Sequence, residues 1–113
     1  MSGRKVASAA AIALSLVFAQ AAAAGGKAEA GKAKAAQVCA ACHGADGAKP
    51  SAPDQPILAG QYYDYLVKAM TDYKSGKRNN AIMKGFAASL SVQDMEDLAA
   101  WFSSQKSSLH FQR

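Results

Sequence analysis

The sequence predicts an all-α domain. Three observations carry this: stretches of helix-forming residues with apolar positions at helical spacing, a capping signature ahead of the last stretch, and no useful run of period-2 alternation.

The first 24 residues stand outside that domain. Met1-Ser-Gly-Arg-Lys5 opens with two positive charges, Val6 to Ala19 is apolar except for Ser8 and Ser15, and Gln20 leads into the small-residue tract Ala21–Ala24. This is the layout of a secretory signal peptide. A retained anchor is disfavoured, because the apolar run falls short of the roughly 20 residues needed to span a bilayer. Residues 1–24 are therefore expected to be removed, leaving 25–113 as the working domain with no membrane span. Arg4 and Lys5 leave with the signal, so 11 basic residues face 8 acidic ones and the formal charge falls from +5 to about +3. Clustered Lys/Arg on a nucleic-acid-binding motif is absent, so no nucleic-acid partner is expected.

A domain of this size buries only a little over ~60% of the surface its unfolded chain exposes. The chain holds 4 Phe, 4 Tyr and 1 Trp, and alanine supplies much of the apolar count. Two cysteines three apart offer no disulfide framework. A large apolar cofactor would supply the missing core.

The first helix is expected over Ala28–Val38, rich in Ala and Lys. Gly31 is its weak point, costing about 1 kcal/mol relative to Ala, and marks a place where another helix approaches closely. From His43 to Gly60 the chain reads as loop, broken by Gly44, Gly47, Pro50, Pro53 and Pro56 and too polar to form a core. Helix resumes over Gln61–Ser75, with Tyr62, Leu66, Ala69 and Tyr73 at helical spacing and Tyr65 and Met70 beside them. Gly76 is a C-terminal stop, and Lys74, Lys77 and Arg78 suit the negative end of the dipole. Asn79–Gly85 reads as too short and polar for a core helix. The last helix has Ser91 as N-cap, Asp94 at N3 and a Leu90–Met95 staple. Its stripe is Met95, Leu98, Ala99 and Phe102, and it should run to about Ser104.

Cys39-Ala-Ala-Cys42-His43 is the strongest chemical signal. Two thiols at this spacing bond to the vinyl groups of one porphyrin, and the adjacent imidazole falls under the iron as an axial ligand. A thioredoxin-like redox pair needs a βαβ setting, which is missing. A structural zinc site needs four ligands. Only His110 could complete it, and adjacent Cys and His suit one tetrahedron poorly, so no zinc is expected.

An electron carrier needs a second axial ligand, and Met70, Met83, Met95 and His110 are the candidates. Met70 belongs to the apolar side of its helix, Met95 is explained by the staple, and His110 follows the last helix. Elimination favours Met83, in Asn79-Asn-Ala-Ile-Met83-Lys-Gly85. With both axial positions filled from the protein, no site is left for substrate, so the chain reads as an electron carrier and not an enzyme.

These residues sit among others: Gly31 eight before Cys39, Gly44 after His43, Pro56-Ile-Leu-Ala-Gly60-Gln61, Tyr65-Leu66, Arg78-Asn-Asn-Ala-Ile-Met83, Leu90-Ser91, and Asp94 to Phe102. With them the chain, from about Ala28 to Gln105, resembles a single-haem bacterial class I cytochrome c. The resemblance implies helices packed around one covalently attached haem c, with the first and last crossing near Gly31. It implies that the Pro56 carbonyl accepts a hydrogen bond from His43 Nδ1–H, and it supports Met83 as the distal ligand. Trp101 stands where the family often has Tyr and is expected to pack on the first helix. Related two-haem proteins duplicate the module; one Cys-x-x-Cys-His occurs here.

The function expected is a periplasmic electron shuttle, a monomer or weak dimer, between redox protein partners: a donor such as a quinol-oxidising complex or dehydrogenase, and a terminal oxidase or reductase. The second reading is the haem-bearing subunit of a larger respiratory dehydrogenase or oxidase complex; the third is a haem enzyme or gas sensor with an open iron. Lys49, Lys74, Lys77, Arg78 and Lys84 either steer acidic partners or form an ordinary solvated surface. Arg78 and Asn80 are placed by position alone as contacts to the haem propionates.

Overall fold

The computed structural model describes residues 25–109, with residues 2–3 and 10–11 ahead of them. The expected signal peptide falls almost wholly outside the described residues, as does His110. Among the described residues there are five helices and no strand: α1 Ala28–Val38, α2 Ala40–His43, α3 Tyr63–Ser75, α4 Ala81–Ala88 and α5 Val92–Ser103. None is long and apolar enough to cross a membrane.

The main packing pair is α1 against α5. Gly31 is buried at their crossing, where an added Cβ would lie 1.9 Å from the Asp97 carbonyl oxygen and 2.9 Å from Trp101 Cβ. The expected close approach is there. Trp101 lies on α1 as expected: its ring sits under the Lys32 ammonium, 5.5 Å from the centroid, and its Nε1–H donates to the Ala45 carbonyl at 3.0 Å. Lys27, the N-cap of α1, supplies no side-chain cap; its backbone N–H is satisfied from α5 by the Asp97 carboxylate at 2.7 Å.

The α5 start is as the sequence specifies. Ser91 Oγ accepts from the Asp94 N–H at 3.0 Å and Asp94 returns to the Ser91 N–H at 2.9 Å, a reciprocal capping box. Met95, Leu98, Ala99 and Phe102 are all buried, and with Ala35, Leu66 and Leu90 they form one core between α1, α3 and α5. Leu90 and Met95, the expected staple pair, both belong to it.

Three details add to the sequence reading or depart from it. Tyr62 precedes α3 at its N-cap and is 58% exposed, so the buried stripe of that helix begins at Leu66. Lys74 lies in the last turn of α3, as expected, and its ammonium also donates to the Leu90 carbonyl, tying α3 to the turn before α5. The segment read as too short and polar for a core helix does enter a short helix, but one that is mostly exposed and outside the core: Asn80 caps α4 by accepting from the Met83 N–H at 3.0 Å. The two asparagines made the segment look polar, but they lie outside the helix, which is itself apolar apart from Lys84 and Gly85.

The long loop between α2 and α3 is held by backbone bonds. Ser51 N–H reaches the Cys42 carbonyl, Leu58 and Ala59 N–H both reach the Gly47 carbonyl, and Gly60 N–H reaches the Phe102 carbonyl. Gly47 adopts φ 77°, and a Cβ there would meet the Phe102 ring at 2.7 Å, so only glycine fits.

Candidate functional site

One cleft of about 480 Å³ is lined together by Cys39, Cys42, His43, Pro56 and Met83, with Met70, Arg78 and Asn80 also on its wall. At one end, the chain leaves α1 through Cys39 and turns at once into α2. The Cys42 and His43 N–H groups both donate to the Cys39 carbonyl, at 3.2 and 3.0 Å. That tight turn sets the two thiols and the imidazole side by side on the cleft wall. Both cysteine side chains are half-buried on that wall, and no disulfide joins them.

His43 is 7% exposed, and its Nδ1 lies 2.9 Å from the Pro56 carbonyl oxygen. A carbonyl oxygen can only accept, so the proton sits on Nδ1 and the Nε2 lone pair remains free for a metal. The contact implied by the family resemblance is therefore present. It also explains why a loop broken by prolines is held so firmly: it carries the acceptor that orients the ring.

Met83 lines the cleft from α4, half-buried and without a place in the core. Met70 lines it too, but from α3 and packed against the core cluster. Met95 does not reach the cleft; it is 3% exposed, and its sulfur accepts from Thr71 Oγ1 at 3.6 Å. The apolar walls include Ile57, Leu58, Leu66, Ala69, Leu90, Leu98 and Phe102, with the exposed Ile82 and Phe86 nearer the surface. Ile57 and Phe86 were not singled out from the sequence. Their only signal there is an apolar residue beside a ligand motif, Ile57 after Pro56 and Phe86 one helical turn beyond Met83.

Lys49, Lys77 and Lys84 are exposed and do not line the cleft. Arg78 does, and its guanidinium donates to the Tyr65 hydroxyl at 3.1 Å. The donor set suits an iron porphyrin held through its edge: paired thiols, an imidazole with its proton fixed on the far nitrogen, a thioether, and apolar walls that exclude water.

Comparison with known proteins agrees. The cytochrome c family profile matches residues 28–106. Cytochrome c4 of Pseudomonas aeruginosa is 57% identical over 86 residues, covering 76% of this chain and 42% of that protein. The thiosulfate dehydrogenase electron acceptor of Stutzerimonas stutzeri is 46% identical over 66 residues, covering 58% of this chain and 31% of that protein. The crystal structure of reduced recombinant cytochrome c4 from Pseudomonas stutzeri superimposes with a TM-score of 0.67 at 47% identity, covering 74% of this chain and 48% of that one. The chain thus spans between about a third and a half of the length of these relatives. With its paired cysteines on an apolar cleft and that match along its length, the chain belongs to the cytochrome c family, has its all-α class I fold, and carries covalently attached haem c.

Proposed function

We propose that the chain is a periplasmic electron carrier, moving single electrons between redox protein partners through a His43/Met83-ligated haem. Cys39 and Cys42 would hold the haem through two thioether bonds, and His43 Nε2 and Met83 Sδ would ligate its iron. The observation that carries this reading is the His43–Pro56 hydrogen bond beside the cysteine pair. It fixes the tautomer that an axial imidazole needs before any metal is bound.

The bound haem supplies a one-electron iron couple. The chain's own work is to position and to exclude. Pro56 holds the His43 ring and increases its basicity as a ligand. Met83 offers a soft sulfur that favours the reduced metal, so the potential lies above that of a bis-imidazole site. Leu58, Leu66, Leu98 and Phe102 keep water from the cleft, which lowers the local dielectric around the metal. With both axial positions taken by side chains, electron transfer is favoured over chemistry on a bound substrate.

Support for redox protein partners comes from a relative that is an electron acceptor of thiosulfate dehydrogenase. One of the relatives named above is an electron acceptor by name and the others are cytochromes, so the reading as a subunit of a larger dehydrogenase or oxidase is not favoured. Residues 1–24 have the composition of an export signal, and that supports the periplasmic placement.

Absorption spectroscopy of the purified, haem-loaded protein tests the assignment. A reduced c-type band, with the weak near-infrared methionine–iron feature in the oxidised form, is the expected result. Met83→Ala should lose that feature and gain rapid carbon monoxide binding when reduced. If Met83→Ala leaves spectrum and potential unchanged, the ligand assignment is wrong.

A further inference from the structure

We propose that Asn80 is a positioning residue for the axial methionine: its side chain and the Met83 sulfur hold the first turn of α4 together, and the turn opens when either lets go. This rests on the Met83 reading above. Asn80 closes on the ligand residue twice. Its Oδ1 accepts the Met83 N–H at 3.0 Å, and its backbone carbonyl accepts the N–H of the next residue, Lys84, at 2.9 Å. Asn80 is itself delivered by a fixed approach. α3 ends at Gly76 with φ 83°, and the Arg78 N–H donates to the Asp72 carbonyl at 3.0 Å, so the chain turns back before it reaches Asn80. Asn80 and Met83 line the same cleft.

Burial does little of this holding. α4 has eight residues, fewer than the roughly 12 that an isolated helix needs to persist in water, so it stands by its ties. Ala87, in its last turn, is its one buried residue, while Ile82 is 69% exposed and Phe86 46% exposed. The last turn is also tied to α3, through the Lys74 ammonium on the Leu90 carbonyl just beyond it. The first turn has Asn80 on one side and Met83 in the cleft on the other. α5 is the contrast. It too is capped by a polar side chain, Ser91, but Met95, Asp97, Leu98, Ala99 and Phe102 bury it whatever happens at the cap. A cap on a helix held by its core adds to global stability alone. A cap on α4 stabilises a local state, the one with the ligand in place. Its free energy therefore enters the equilibrium between sulfur on and sulfur off the iron.

The test is imidazole binding to the oxidised, haem-loaded protein, followed by loss of the near-infrared methionine–iron feature, for wild type, Asn80→Ala, Asn80→Ser, Asn79→Ala and Ser91→Ala. Imidazole enters only where the sulfur has left, so its apparent affinity follows the sulfur-off fraction. Asn80→Ala should bind imidazole about fivefold more tightly, the ratio that corresponds to loss of a typical cap. Asn80→Ser keeps a capping oxygen and should return toward wild type. Asn79→Ala removes the exposed neighbouring amide and should leave the affinity unchanged. Ser91→Ala should lower the unfolding temperature and also leave the affinity unchanged. The clamp is overturned if Asn80→Ala binds imidazole as wild type does, or if Ser91→Ala tightens binding as much. Should Asn80→Ala fail to load haem, hydrogen exchange at the Met83 amide of wild type decides: saturating imidazole should release its protection, and protection that persists overturns the clamp. A methionine feature that survives Met83→Leu overturns the Met83 reading and the clamp with it. A feature lost in Met83→Leu, with unshifted imidazole affinity in Asn80→Ala, overturns the clamp alone.

Discussion

Asp97 closes a helix that begins seventy residues earlier: its Oδ1 accepts the Lys27 N–H at 2.7 Å, with a sequence separation of 70. The same oxygen accepts from Gln93 Nε2 at 2.8 Å, and Asp97 is 8% exposed. The first turn of α1 has no cap of its own, so α5 provides it across the packing interface. Asp97→Ala should cost about 1–2 kcal/mol, the range for losing a helix N-cap. Asp97→Asn keeps an oxygen acceptor and should cost less. Thermal unfolding of the haem-loaded protein orders wild type, Asn and Ala; equal midpoints for wild type and Ala would refute the cross-helix cap.

Gly31 and Gly85 should respond to the same substitution with opposite signs. At Gly31 a methyl group lands 1.9 Å from the Asp97 carbonyl oxygen, so Gly31→Ala must spread α1 from α5. The expected loss is about 3 kcal/mol or more. At Gly85, on the exposed side of α4, an added Cβ meets nothing within 4 Å. There Gly85→Ala should gain up to about 1 kcal/mol from helix propensity and a less disordered unfolded chain. Chemical denaturation of the two variants measures both.

Asp94 predicts a pH dependence. Hydrogen bonding to the Ser91 N–H, aided by the Ser91 hydroxyl and Lys34, holds its carboxyl below the ordinary 3.8. The folded state therefore binds the proton less readily than the unfolded state. The contribution is complete above the unfolded value, and is lost as pH falls through the lower folded one. Asp94→Asn should be less stable than wild type by about 0.5–1 kcal/mol at neutral pH, and the gap should close below pH ~3. A constant gap down to pH ~2 would contradict the capping role.

Two methionines line the cleft, and their substitutions should separate. Met70→Leu conserves volume against the core and should cost under ~1.5 kcal/mol while keeping the near-infrared feature. Met83→Leu should abolish the feature at little cost to the helical core. The reverse pattern would move the ligand to α3.

What the sequence made legible was what is encoded locally. Cys39, Cys42 and His43 lie within one turn, and Ser91 and Asp94 close a box three residues wide, so spacing alone exposes them. Gly31 was visible as an anomaly, a glycine in a good helix, though nothing local says that Asp97 lies against it. The Asp97 cap joins residues far apart in sequence, and an acid on α5 looks like any surface charge until the helices cross. α4 is hard to read from sequence because Asn79 and Asn80 make its start look polar, when Asn80 is its cap. Arg78 shows the same limit: its hydrogen bond to the Tyr65 hydroxyl needs the turn at Gly76, which nothing local to either residue announces.

Leu66, Leu90, Leu98 and Phe102 belong at once to the helical core and to the wall of the haem cleft. Variation at these four positions cannot be sorted into changes of redox behaviour and changes of foldedness, because each alters both together. Room for adaptation lies instead at Ile57, Ile82 and Phe86, which line the cleft without joining the core. A lineage that retunes this protein for a new partner would write its changes on the rim, and leave α5 much as it is.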